Sequence, residues 1–142
     1  MADLDAEHAR PDGATDTEVR TAGLLTEALE RMERARGALY EFHQLVGGAD
    51  EQLDDVLEGL RAAGHDDLAD ELEQDLVGRN VIAGRWTFQL VEEFDADYHA
   101  RWLHWDQVVR DRLTGGRRHV FEAELKARRR TPGRPGHEAT PR

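Results

Sequence analysis

Residues 80–113 read NVIAGRWTFQLVEEFDADYHARWLHWDQVVRDRL and hold all three tryptophans, two of the four phenylalanines and one of the two tyrosines of the chain. At about 100° per residue, Leu90, Val91, Phe94, Tyr98, Trp102, Trp105, Val108 and Val109 fall within about one third of a helix circumference. The opposite face carries Glu92, Asp95, His99, Asp106 and Arg110, side chains suited to water. No proline interrupts the segment and Gly84 is its only glycine, so the pattern predicts a helix of about 50 Å. A helix with this much aromatic surface is unstable alone in water, because each buried ring contributes a few kcal/mol. The rest of the chain is expected to cover it.

Working towards the N-terminus, Ala22, Leu25, Ala28, Leu29, Met32, Ala35, Leu39, Phe42 and Val46 recur at spacings of three and four. They predict a second long helix, capped near Thr15 or Asp16 with Glu18 in its first turn and closed by Gly47 and Gly48. Arg36 and His43 interrupt its seam, and polar groups there need partners or an edge. Two short helices are expected between the long ones. One follows Asp50 with Leu53, Val56, Leu57 and Leu60, and the other follows Asp66 with Leu68, Leu72 and Leu76. A kink or break is expected near Gly78. Beyond Gly115 and Gly116, the pairs Glu122 with Lys126 and Glu124 with Arg128 favour a short C-terminal helix.

The fold class expected is all-α: an antiparallel bundle of two long and two short helices at 16–114, a short helix with basic charge at 115–130, and disordered termini at 1–15 and 131–142. The 142 residues suffice for one domain. With no cysteine present, disulfides, thiolate metal sites and cysteine nucleophiles are excluded. No apolar run is long enough to span a bilayer, so no membrane partner is expected. The acidic start, unlike a signal peptide, leads to the expectation of a cytoplasmic protein. Residues 1–116 carry a balance of −16 and residues 117–142 one of +5. An acidic body should repel nucleic acid, whereas its basic tail is drawn to phosphate.

Chemistry is sparse. The chain contains no serine and no phosphate-binding glycine loop, and its many carboxylates make proximity of any two uninformative, so no catalytic residues and no cofactor are expected. Glu93, Asp97, Arg101 and His104 share one flank of the aromatic helix. With His43 or Glu41 opposite, His43, Glu93, Asp97 and His104 are a candidate metal or small-ligand set. The simpler reading is a local ion pair and a rim histidine. The carboxylate-bridged di-metal bundle fails on spacing, since no histidine has a glutamate three residues before it. Lys126, Arg128, Arg129 and Arg130 are candidate phosphate contacts, the basis of a third reading as a nonspecific nucleic-acid binder. The favoured reading is a noncatalytic structural or protein-interaction module that forms a homo-oligomer or binds a protein partner, with Trp86, Phe94, Tyr98, Trp102 and Trp105 as its surface.

Overall fold

A computed structural model describes residues 4–140; residues 1–3 and 141–142, at the ends of the two segments expected to be disordered, lie outside the described residues. The chain is all-α. Its elements in order are α1 (Asp16–Ala62), α2 (Asp66–Asp75), α3 (Thr87–Phe94), a π-helical turn (Asp95–His99), α4 (Ala100–Thr114) and α5 (Val120–Arg129). They divide between a terminal unit, Met1–Met32 with Ala100–Arg142, and a central unit, Glu33–His99.

Two boundaries differ from the sequence expectation. Gly47 and Gly48 do not end the first helix; α1 continues for 47 residues and absorbs the first of the two short helices. Glycine lowers helix propensity by only about 1 kcal/mol, and the apolar period continues through Val46, Leu53, Leu57 and Leu60, all at least half-buried. The helix therefore tolerates the pair. The aromatic helix starts at Thr87 rather than Asn80, after a tight turn in which Ile82 and Arg85 form an isolated bridge. Gly84 at φ 75° supplies the left-handed conformation of that turn. The break expected near Gly78 is present, with Gly78 at φ 68°.

In the terminal unit, Thr15 opens α1 with a reciprocal cap. Glu18 N donates to Thr15 Oγ1 at 3.2 Å while Thr15 N donates to Glu18 Oε2 at 2.8 Å. The Thr15 N–H and the Thr15 hydroxyl, both donating to Glu18 Oε2, hold the Glu18 carboxyl below its usual range. Val19 and Val120, 2% and 3% exposed, are core residues of this unit. Gly23 permits the packing of α5, because a Cβ there would lie 2.9 Å from Phe121 Cβ. Residues 5–14, which composition reads as disordered, carry turns and tertiary bonds: Arg10 donates to both carboxylate oxygens of Glu124, at 2.7 and 2.9 Å, and Arg117 Nη1 donates to Ala9 O at 2.7 Å. Glu124 is 4% exposed, so an arginine from the N-terminal segment satisfies a carboxylate that would otherwise be buried alone. On the C-terminal side, Thr131 N donates to His137 Nδ1 at 3.0 Å and Arg134 N to Thr131 O at 3.2 Å.

In the central unit, Leu57, Ala69 and Val91 are buried. α2 is tied to α1 by Arg61, which reaches Asp70 at 2.8 Å and Glu73 at 3.1 Å. Asp50 accepts the backbone N–H of Gly78 at 2.9 Å.

Candidate functional site

The phase of the aromatic helix is not the one its stripe predicts. His99 and Asp106, assigned to the solvent face, are 9% and 7% exposed, whereas Tyr98 and Trp105, assigned to the core, are 53% and 57% exposed. The cause is the π-helical turn at Asp95–His99. One extra residue in that turn rotates the following face by about 100° relative to an uninterrupted α-helix. Polar side chains waiting on α1 then meet the rotated face.

In the central unit three polar pairs join α1 to this segment in opposite chain directions, those at Thr87 and Asp95 lying before the rotation. Glu33 Oε1 is 2.6 Å from His99 Nε2. Arg36 donates to Asp95 through Nε and Nη2 at 2.6 and 2.8 Å, a two-bond fork. His43 Nδ1 is 2.7 Å from Thr87 Oγ1. The Arg36 guanidinium holds the Asp95 carboxyl below its ordinary range, and Asp95 in turn raises Arg36. Phe94 stacks on the His99 ring at 5.8 Å. In the terminal unit Thr26 donates to Asp106 Oδ1 at 3.0 Å, and Arg110 Nε lies 3.7 Å from Asp106 Oδ2. Arg36 and His43, which interrupt the apolar seam of α1, thus find their partners; Asp95, His99 and Asp106 are residues that helix periodicity misassigns.

The candidate metal set is not brought together. His43 bonds Thr87, Glu93 pairs with Arg85 at 3.1 Å, and His104 stands exposed with its ring edge-on to Trp105 at 5.4 Å. Asp97 is exposed. Among the described residues no group of three or more His, Asp and Glu is placed to hold a metal ion. Glu33 and His99 are paired with each other, and the Arg36 fork occupies Asp95. In the basic set, Lys126, Arg128 and Arg129 form the last turn of α5, where cations oppose the helix dipole. Arg130 follows them as the cap, its N–H donated to Lys126 O.

The aromatic set is only partly outside. Trp86 and Tyr98 of the central unit are 60% and 53% exposed, and Trp105 of the terminal unit 57%, with Phe94 and Trp102 half-buried. Phe88, packed edge-on against Trp86 at 5.3 Å, adds to the exposed aromatic area. Trp86 also lines a groove of about 560 Å³ with Val46, Leu53, Leu76, Val81 and Thr87. A second cavity, of about 660 Å³, lies in the terminal unit between Leu4, His8, His119, Lys126 and Glu138. There Asp5 holds His8 Nδ1 at 2.6 Å. His119 is the one non-glycine residue at positive φ among those described, at 56°.

Among the described residues no helix is long and apolar enough to cross a membrane. No family model, no curated protein and no solved structure matches this chain.

Proposed function

We propose that this chain is a noncatalytic helical interaction module of the cytoplasm that works by self-association. One observation carries the reading: large apolar side chains stand outside while ionisable ones lie between helices. Leu45, Trp86, Trp105, Tyr98, Leu24 and Leu68 are each more than half exposed, whereas His99, Asp106 and Glu124 are each at most 9% exposed. Scattered apolar residues are ordinary on a protein surface, but large exposed aromatic side chains are the groups that protein contacts favour. The partner favoured is a second copy, because the exposed surface belongs to every molecule and can be covered by closed symmetry.

The test is the mass of the full chain in solution across a concentration series, repeated for Trp86→Ala and Trp105→Ala. Self-association that weakens in these variants while helicity is unchanged supports the reading. A monomer throughout, with full helicity, overturns it.

A further inference from the structure

Gly47 lies in the middle of α1, where a glycine weakens the helix relative to alanine. A Cβ at Gly47 would meet nothing within 4 Å, so no close approach of another element explains it. Gly47 does line the groove of about 560 Å³ in the central unit, beside Val46, Asp50 and Leu53 of the same helix. The other walls come from Leu76, from the loop that carries Gly78, Arg79 and Val81, and from Trp86 and Thr87 at the start of α3. A glycine there leaves the groove wide, and a larger side chain would enter it.

Bonds at its own margins hold the groove open. Asp50 Oδ1 accepts the Gly78 N–H at 2.9 Å, which fixes the loop to α1. Trp86 N donates to Gln89 Oε1 at 2.8 Å, and the bridge between Ile82 and Arg85 closes the turn before it. Thr87 Oγ1 is 2.7 Å from His43 Nδ1. Preformed, largely apolar hollows of about 300–1,000 Å³ are where small molecules bind. Leu76, Val81 and Trp86 remain 45%, 44% and 60% exposed although they line a concave site. An occupant with an apolar body would cover them.

We infer that this groove binds a small organic cation, a quaternary ammonium or protonated amine carried on an aromatic or branched aliphatic frame. The exposed Trp86 indole offers a π-face, whose quadrupole attracts a cation placed over it. Asp50 is half-buried, and its second carboxylate oxygen makes no hydrogen bond among the described residues, so one anionic oxygen is left for the cationic group. Arg79, which also lines the groove, is paired with Asp75 at 3.2 Å. The central unit holds 17 Asp and Glu against 5 Arg, a balance of −12. That field gathers cations and repels anions. An anionic ligand would set its charge against Asp50 in a half-buried place, a costly juxtaposition. The inference goes beyond self-association and does not depend on it.

Two probes of opposite charge test it on the full chain: berberine, a flat quaternary cation, and anilinonaphthalene sulfonate, an anion, both of which brighten in apolar sites. Berberine should bind at one site per chain, at least about tenfold more tightly than the anion. Gly47→Leu puts a side chain into the groove without weakening the helix, and Trp86→Ala removes the π-face. Each should weaken berberine binding at least about tenfold with helicity kept. Asp50→Asn keeps an acceptor for the Gly78 N–H but removes the charge, and it should weaken the cation and not the anion. Trp105→Ala, in the terminal unit, should leave berberine binding unchanged, which separates this site from the wider aromatic surface. Berberine binding that is absent, that is no tighter than the anion's, or that survives Gly47→Leu overturns the inference. Self-association, read from the mass of the unliganded chain, stands or falls independently of these results.

Discussion

Trp105 and Asp106 are consecutive in α4, yet the tryptophan is 57% exposed and the aspartate 7% exposed with Thr26 donating to its carboxylate. A buried acceptor of this kind is costly to leave unmatched or to remove. Asp106→Ala removes the acceptor of the Thr26 hydroxyl and the carboxylate beside Arg110, and we expect a loss of about 1–3 kcal/mol in urea unfolding. Trp105→Ala should change the stability of the isolated chain by less than about 0.5 kcal/mol. A larger loss at Trp105 than at Asp106, measured under dilute conditions, would show that the inside and outside of α4 have been exchanged here.

The Arg36 fork on Asp95 makes stability depend on pH in a defined direction. Asp95 has a folded-state pKa depressed by the Arg36 hydrogen bonds, so the pair stabilises the fold above the unfolded carboxyl value of about 3.9. That contribution disappears as pH falls through the lower folded value. The urea midpoint of Arg36→Met should lie below that of the parent chain at pH 6, and the gap should narrow as pH falls below about 4. A gap of constant width across that range would remove Asp95 as the partner through which Arg36 acts.

Glycines within α1 have opposite roles. A Cβ at Gly47 meets nothing within 4 Å, whereas one at Gly23 meets Phe121 at 2.9 Å. Gly47→Ala should raise stability by about 0.5–1 kcal/mol through helix propensity alone. Gly23→Ala should lower it by about 1–3 kcal/mol through overpacking against α5. Thermal melts of the two variants decide the point, and a stabilising Gly23→Ala would mean that α5 does not dock there.

Arg10 gives the N-terminal segment an energetic role. Its bonds to Glu124 and to Asp16, at 2.7 Å, raise its pKa above the ordinary guanidinium value. Arg10→Ala leaves a carboxylate that is 4% exposed without its cation. We expect a loss of about 1–3 kcal/mol and faster amide exchange in α5. An unchanged exchange pattern would show that Glu124 is satisfied without Arg10.

Much of the helical content was legible from periodicity and capping. Thr15 with Glu18 marks the start of α1, Gly78 a break, and the Glu-to-Lys and Glu-to-Arg spacings the position of α5. Two physical effects were not legible. The first is the π-helical turn at Asp95–His99, which no spacing of apolar residues announces and which rotates the downstream face. The second is pairing at a distance: Arg10 with Glu124, and Glu33 with His99, are contacts between segments 114 and 66 residues apart. A signal for the rotated face existed in Arg36 and His43, polar groups in an apolar seam that required partners. It pointed to polar residues on the aromatic helix, but not to which of them. For the candidate sites, the aromatic set divides into exposed Trp86, Tyr98 and Trp105 and half-buried Phe94 and Trp102, and the metal set rested on a shared flank that the pairing of His43 with Thr87 and of Glu93 with Arg85 divides.

The most direct measurement is sedimentation equilibrium of the full chain from low to high concentration, with helicity recorded on the same samples. The exposed tryptophans predict a species heavier than the 16.1 kDa chain, reduced towards the monomer by Trp86→Ala and Trp105→Ala. A fully helical chain that sediments at 16.1 kDa at every concentration and salt would contradict the proposed self-association.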